Sequence, residues 1–260
     1  RRYLQQGGDL HQGDGTTSSM PRALPVSTRR VGLSHYGGPD VLQPRSGEAA
    51  APRPGEIRIR QRAIGINYID VCLRRGWIPS MLPVSEESLG VPGMEAAGGV
   101  LDVGENVHGF FAGDRVAYLG PVPGAYCGVR SVPAEWVVRL PPVIEDDVAA
   151  ALLLKGITAD YLLHDLGRVQ RGTRILVHAA AGGVGLLLCA WARHLGATVV
   201  GTVSSEAKAR VARDHGCEHV IVTRDYRFAN AVQQACGGVD LLIDGLGEAA
   251  RDENLASLAS

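Results

Sequence analysis

The sequence predicts an α/β protein with two domains, a β-rich first domain and a doubly wound parallel sheet in the second. Short strand-like runs separated by Gly and Pro fill the first part, up to about residue 141. From residue 174 onward, apolar strand-like runs alternate with helix-like segments. The chain has 260 residues, of which 45% are hydrophobic and 20% charged, and this length and composition suit two domains.

The first 20 residues are rich in Gly, Gln, Asp, Ser and Thr and carry no apolar pattern, so we expect a disordered leader over 1–20. Met20 is then a plausible native start. A net charge of -1 predicts neither a nucleic-acid nor an anionic membrane surface. The five cysteines form no CxxC, and no apolar run has the length of a membrane span or of a signal core. We expect a cytoplasmic protein with reduced cysteines.

Five strand-like runs predict the first domain, at residues 56–67, 96–104, 114–119, 125–133 and 135–141. The segment EIRIRQ, at the start of the first run, alternates apolar with charged residues, which is typical of a strand with one face in water. Many short strands with turn residues between them favour a barrel-like or sandwich domain.

The second domain begins with a predicted helix over 145–167, acidic at its start. Predicted strands follow at 174–180, 197–203, 219–223 and 239–244, with helices at 185–196, 206–216 and 227–237 between them. Because these strands are apolar throughout, we expect a parallel sheet with helices on both faces.

The segment HAAAGGVG, residues 178–185, lies at the turn from the first of these strands into its helix. It resembles the glycine fingerprint of a dinucleotide site in the form A-x-G-x-x-G. Ala180 then occupies the tight turn, Gly182 the position where a pyrophosphate approaches the backbone, and Gly185 the position where helix presses on strand. Gly183 and Val184 lie between them, at a helix N-terminus that offers free N–H groups. The alternative is a turn of small residues that serves packing alone.

The end of the next strand, GTVSS, predicts which dinucleotide binds. NAD sites usually have an acidic residue there, but Ser204 takes that place, 19 residues after Gly185. Hydroxyl groups and an amine suited to a 2′-phosphate cluster in this segment, on Thr202, Ser204, Ser205 and Lys208. We therefore expect NADPH, with Glu206 pointing outward. The alternative is that Lys208 is solvated surface.

Neither a metal site nor a catalytic triad is predicted. His215 and His219 are four residues apart, but Gly216 is expected to end the helix between them, so they need not share a face. No G-x-S-x-G segment occurs. Hydride transfer requires neither feature, since the cofactor carries the chemistry.

Several motifs resemble, in order and spacing, the zinc-independent quinone oxidoreductases (zeta-crystallin-like) of the medium-chain dehydrogenase/reductase superfamily. They include GGPDVLQ (37–43), AIGINYIDVCLRRG (63–76), PGMEAAGGVLDVGENV (92–107), GDRVAY (113–118), LKGITADYLL (154–163) and the segment 178–209. The resemblance implies a GroES-like catalytic domain over 21–147 and a Rossmann NADP(H)-binding domain over 148–260. It also implies NADPH-dependent reduction of quinones or related α,β-unsaturated carbonyl compounds, and a homodimer. AAAGGVG is this family's normal form.

The resemblance also implies roles for single residues. Asn67 would face nicotinamide and substrate and orient the ribose or a substrate carbonyl, although an Asn there could simply form a turn. Lys155, Thr158 and Tyr161 share a helix face that would line the nicotinamide side of the cleft. Asn67 lies where zinc relatives have a ligand cysteine, and Met94 where they have a histidine, so a metal-free site is implied.

Some positions depart from the family pattern. Cys72 lies in the implied substrate pocket where the family often has Tyr. Thr223 occupies a position near the adenosine that is often aromatic or histidine, and the following Arg224 could contact phosphate. Gly245 belongs to a loop, DGLG, that follows the fourth strand and is expected near the cofactor.

The sequence ends in the helix after that strand, whereas a doubly wound dinucleotide sheet normally has six strands, so we expect an incomplete Rossmann sheet. The main functional hypothesis is an NADPH:quinone reductase. The alternatives are an NADPH-binding protein with impaired catalysis, and a reductase of enoyl or haloacrylate-type substrates.

Overall fold

The computed structural model describes residues 24–259, and the expected leader over 1–20 lies outside this range. The described chain forms a β-rich part followed by a parallel sheet with helices on both faces, as the sequence predicts. Within residues 24–259, the helices are all too short or too polar to cross a membrane.

The β-rich part contains two antiparallel sheets. Strands β1 (Val26–Gly32) and β2 (Gln43–Ala49) pair with each other. The second sheet has the order β6-β3-β4-β5-β7 and consists of β3 (Glu56–Ile64), β4 (Glu95–Val103), β5 (Arg115–Leu119), β6 (Val129–Pro133) and β7 (Val137–Arg139). The five predicted strands are confirmed, four with shorter bounds and β4 shifted by one residue, while β1 and β2 were not predicted.

One detail of β3 differs from the expected pattern. Ile57 and Ile59 are buried as predicted, but Arg58 is also buried instead of facing water. Its Nε donates to Asp102 Oδ1 on β4 at 2.8 Å, and its Nη1 donates to the Leu24 carbonyl at 2.7 Å. The guanidinium is therefore tolerated inside because charged and carbonyl acceptors replace water.

Two helices connect this part to the rest. Helix α1 (Tyr68–Arg74), which was not predicted, follows β3 directly and begins after Asn67. Helix α2 (Asp146–Tyr161) continues into one π-type turn (Leu162–Leu166), so the helix predicted over 145–167 is confirmed. Helix α2 packs on β3, β4 and β5 and also on the later helix α3 (Gly183–His194). The proposed domain boundary at 147/148 falls in the first turn of α2.

The parallel sheet has the order β10-β9-β8-β11. Its elements are β8 (Arg174–Val177), α3 (Gly183–His194), β9 (Thr198–Val203), α4 (Glu206–Asp214), β10 (His219–Val222), α5 (Ala229–Cys236), β11 (Leu241–Ile243) and α6 (Arg251–Ser257). Val177 packs into a cluster with α3 and α4, while its neighbour Leu176 packs into a cluster with α5. Helices therefore cover both faces, and the carboxyl ends of all four strands share one edge.

Candidate active site

The turn between β8 and α3 is a compact loop at the carboxyl edge of the sheet. Ala179 adopts a left-handed backbone conformation, with φ of +50°, and its carbonyl accepts the N–H of Gly182 at 2.7 Å. Ala180 donates its N–H to the Thr202 carbonyl on β9 at 3.1 Å. The loop is thus fixed internally and to the neighbouring strand.

Two glycines make the close approaches in this region possible. A β-carbon at Gly185 would lie 2.3 Å from the Ala179 carbonyl oxygen, so α3 packs on the turn as the A-x-G-x-x-G pattern predicts. The side chain of Ala180 is completely buried, and a β-carbon at Gly201 on β9 would lie 2.6 Å from its methyl group. Ala180 fits because Gly201 leaves the space empty.

The start of α3 has the geometry of a phosphate site. The Leu186 N–H donates to the Gly182 carbonyl at 2.9 Å as the first bond of the helix. The preceding N–H groups, of Gly183, Val184 and Gly185, have no helical carbonyl to pair with and lie at the positive end of the helix dipole. A phosphate can accept hydrogen bonds from them.

A cleft of about 250 Å³ adjoins this turn. Its lining residues come from the turn, the end of β9, α4, the segment after β10 and the loop after β11: Ala179, Ala181, Gly182, Thr202, Val203, Ser204, Lys208, Thr223, Tyr226 and Leu246. Of these, Gly182, Thr202, Ser204, Lys208 and Thr223 are predicted site residues. Tyr226 and Leu246 were not predicted, because they lie on irregular segments whose approach to β9 is long-range.

The cleft contains a polar group suited to a phosphate. Lys208 Nζ donates to Ser204 Oγ at 3.1 Å, and no carboxylate of residues 24–259 lies within ion-pair distance of Lys208. Ser205 instead caps α4 by accepting the Lys208 N–H at 3.3 Å. Arg224 is exposed, and its Nε donates to the Ser204 carbonyl at 3.0 Å. Gly245 is exposed in the loop after β11.

Thr202 forms part of a buried chain of hydrogen bonds beneath the cleft. Its Oγ1 lies 2.8 Å from Nδ1 of His178, whose Nε2 lies 2.7 Å from Asn254 Oδ1 on α6. Burial lowers the pKa of His178, so its imidazole is neutral at pH 7. The Thr202 hydroxyl is engaged in this chain, and its suggested contact with a cofactor stays a prediction.

Asn67 is buried and held at both ends. Its Nδ2 donates to Glu95 Oε1 at 2.7 Å, and its backbone N–H donates to Asp70 Oδ2 at 2.8 Å. Tyr126 also donates its hydroxyl to Asp70 Oδ2, at 3.0 Å, and burial raises the pKa of Asp70. Sequence reasoning missed both carboxylates, although an acidic residue at the head of the apolar run EAAGGV was a usable signal.

The predicted residues of α2 differ in their surroundings. Lys155 lies over the β8–α3 turn, with its Cδ and Cε 2.8 Å from the place where a Gly183 β-carbon would be. Thr158 donates its hydroxyl to the Leu154 carbonyl at 2.7 Å, and Tyr161 is 42% exposed. Cys72 lies half-buried on α1. Lys155 is thus the α2 residue with a direct contact to the turn.

The histidine pair considered for a metal has other contacts. His215 Nδ1 lies 2.8 Å from the Val211 carbonyl, and His219 lies 3.6 Å from the Glu218 carboxylate. Across residues 24–259, no three His, Cys, Asp or Glu side chains are grouped closely enough to hold a metal ion.

Comparison with known proteins identifies two domain families. Residues 53–142 match the alcohol dehydrogenase GroES-like domain, and residues 183–260 match the zinc-binding dehydrogenase family. The chain is 44% identical over 226 residues to a 2-haloacrylate reductase of Burkholderia, covering 85% of this chain and 67% of that protein. It is 45% identical over 206 residues to a quinone oxidoreductase of Pseudomonas aeruginosa, covering 79% of this chain and 61% of that protein.

The fold agrees with these matches. The crystal structure of Escherichia coli quinone oxidoreductase complexed with NADPH superposes with a TM-score of 0.83 at 38% identity, over 88% of this chain and 70% of that one. The chain spans about two thirds of the length of this haloacrylate reductase and of the matched bacterial quinone oxidoreductases. The chain belongs to the quinone oxidoreductases of the medium-chain dehydrogenase/reductase superfamily, with a GroES-like domain and a Rossmann-type sheet.

Proposed function

We propose that the protein is an NADPH-dependent oxidoreductase that reduces quinones or related α,β-unsaturated carbonyl compounds without zinc. The observation that carries the proposal is the shared cleft of Gly182, Ser204 and Lys208, which joins the β8–α3 turn, here the phosphate-binding turn, to a lysine amine with no carboxylate partner within residues 24–259. The matched E. coli enzyme is described in complex with NADPH. NADPH would supply the hydride, and the chain would supply binding, orientation and exclusion of water.

In this proposal, different groups of residues bind different parts of NADPH. The N–H groups of residues 183–185 bind the pyrophosphate, and Lys208 with Ser204 binds the 2′-phosphate by charge-assisted hydrogen bonds. Thr223, Arg224 and Gly245 belong to the rim around the adenosine half, as does the newly found Tyr226. On the nicotinamide side lie the residues Asn67, Lys155, Thr158 and Tyr161, with Cys72 near the substrate.

A second substrate class is favoured by one specific observation. A relative 44% identical to the chain is a 2-haloacrylate reductase, and such substrates share the activated double bond of a quinone. We therefore also propose haloacrylate-type or enoyl compounds as substrates of the same site.

The test of the proposal separates binding from catalysis. NADPH and NADH are titrated against the protein by nicotinamide fluorescence, and NADPH oxidation is then followed with 1,4-benzoquinone and with 2-chloroacrylate. We expect tighter binding of NADPH than of NADH and turnover of at least one acceptor. Binding without turnover supports the alternative of a non-catalytic NADPH-binding protein, and a preference for NADH contradicts the assigned role of Lys208.

The remaining assignments concern organisation. We propose a GroES-like catalytic domain over 21–147 and an NADP(H)-binding domain over 148–260, a homodimer, and a cytoplasmic location. Light scattering of the purified protein measures the oligomeric state, and a monomer at micromolar concentration contradicts the dimer.

A further inference from the structure

Glu95, the first residue of β4, is a completely buried carboxylate that accepts hydrogen bonds from two separate segments, at Asn67 and on helix α2. Burial of an ionised carboxylate is unfavourable unless donors satisfy it. Its Oε1 accepts Asn67 Nδ2 at 2.7 Å, and its Oε2 accepts the Leu154 N–H on α2 at 2.6 Å. Lys155 Nζ lies 3.7 Å from Oε1 as the cationic partner.

These partners lie on two separate segments of the proposed nicotinamide side. Asn67 precedes α1 in the GroES-like part, whereas Lys155 lies on α2 with its aliphatic chain against Gly183 of the phosphate-binding turn. The Lys155 amine also donates to the Ala151 carbonyl at 2.8 Å, which fixes it on the side of α2 facing Glu95. The Glu95 side chain therefore contacts a group from each of these two segments.

The carboxylate also determines how Asn67 is oriented. A carboxylate only accepts hydrogen bonds, so the amide must turn its Nδ2 toward Glu95 and its Oδ1 away. The backbone bond to Asp70 holds the other end of the residue. The amide oxygen, the acceptor end of this side chain, faces the start of α1, where Asn67 and Asp70 form a capping box.

We propose that Glu95 is a positioning residue of the reductase, which aligns Asn67 with Lys155 through one buried carboxylate. This inference rests on the proposed function. It assigns to Glu95 no contact with substrate or cofactor, only the placement of two residues that make such contacts.

The test uses Glu95→Gln, which keeps the shape but removes the charge and one acceptor. We expect kcat to fall by about 10-fold to 100-fold, because a displacement of about 1 Å at a site can have that effect. The exposed Glu87→Gln serves as the matched control and should keep the wild-type kcat. Thermal unfolding is recorded for each variant, so that kcat is compared well below every melting temperature.

A double-mutant cycle with Asn67→Ala distinguishes positioning from general stability. If Glu95 acts through Asn67, the double variant loses little more kcat than Asn67→Ala alone. Additive losses, or a Glu95→Gln variant with lowered melting temperature but wild-type kcat, overturn the inference. Should Glu95→Gln fail to fold, the test uses Glu95→Asp, which keeps the charge but shortens the side chain by one methylene. Wild-type kcat in Glu95→Asp would likewise overturn the inference.

Failure of this inference is distinguishable from failure of the proposed function. A wild-type protein that neither prefers NADPH nor reduces any acceptor overturns both. A wild-type protein that turns over, with a Glu95→Gln variant indistinguishable from it, overturns the positioning role alone.

Discussion

Nε2 of His178 lies 2.7 Å from Oδ1 of Asn254, so the first residue after β8 is hydrogen-bonded to helix α6. Helix α6 packs with α5, which covers the sheet face opposite α3. Both side chains are buried, and His178 also packs edge-to-face on Phe228 at a centroid distance of 4.9 Å. The β8–α3 turn is therefore anchored by α6 as well as by β9.

Asn254→Ala is expected to destabilise the protein by about 1–3 kcal/mol, because it leaves the buried His178 N–H without an acceptor. The free energy of unfolding in urea measures this loss. Asn230→Ala removes an exposed asparagine from α5 and should change stability by no more than about 0.5 kcal/mol. Equal values for the two variants would show that the His178–Asn254 bond is not stabilising.

Stability is expected to fall on acidification because of His178. Burial lowers its pKa in the folded state, so below the unfolded value of 6.5 the unfolded chain binds a proton that the folded chain resists. The stability that the neutral His178 allows is fully present above pH 6.5. The free energy of unfolding then falls as the pH decreases, by up to about 1.4 kcal/mol per pH unit. Unfolding free energies at pH 7.5 and 5.5 test it. His178→Gln should show a smaller difference, and an unchanged difference argues against this assignment.

Alanine at Gly185 and at Gly183 should have different effects. The new methyl of Gly185→Ala meets the rigid Ala179 carbonyl at 2.3 Å, and overpacking of this kind costs about 1–3 kcal/mol. The methyl of Gly183→Ala meets only the flexible chain of Lys155, so we expect near-normal stability but weaker NADPH binding. Urea unfolding and fluorescence titration of both variants check this. A larger loss of stability in Gly183→Ala than in Gly185→Ala would contradict the geometry.

Lys208→Ala should weaken NADPH binding by about 10-fold to 100-fold, since a hydrogen bond to a charged group is worth about 1.5–3 kcal/mol. NADH affinity should stay unchanged because NADH has no 2′-phosphate. Arg210→Ala, which removes another exposed cation of α4, is the control. Equal weakening by both variants would indicate a general electrostatic effect instead of a 2′-phosphate contact.

The strands of the Rossmann-type sheet were predictable because runs such as ILV and VDLLID are apolar and bounded by turn residues. The β1–β2 pair escaped prediction because its strands are rich in Arg, Ser and Glu, and their pairing with each other is a long-range property. Helix α1 has only seven residues, too few for a clear apolar period. The turn between β8 and α3 was predictable from the glycine spacing together with the flanking strand and helix patterns.

The surroundings of Asn67 were less predictable. Glu95 accepts two hydrogen bonds from groups distant in sequence, and no local pattern indicates that Asn67 and Leu154 share this carboxylate. Tyr226 reaches the cleft through a left-handed backbone conformation, with φ of +59°, which sequence periodicity does not reveal.

The packing of Ala180 against Gly201 changes what the glycine fingerprint requires of a chain. The constraint is a volume between the β8–α3 turn and the neighbouring strand β9, and it stays open because residue 201 has no side chain. Exchanging the two residues, as Ala180→Gly with Gly201→Ala, would not conserve the packing, because a β-carbon at Gly201 would also lie 2.6 Å from Cys217 Sγ. Such sites are therefore better recognised from a turn position together with its neighbours distant in sequence than from one string of consecutive residues.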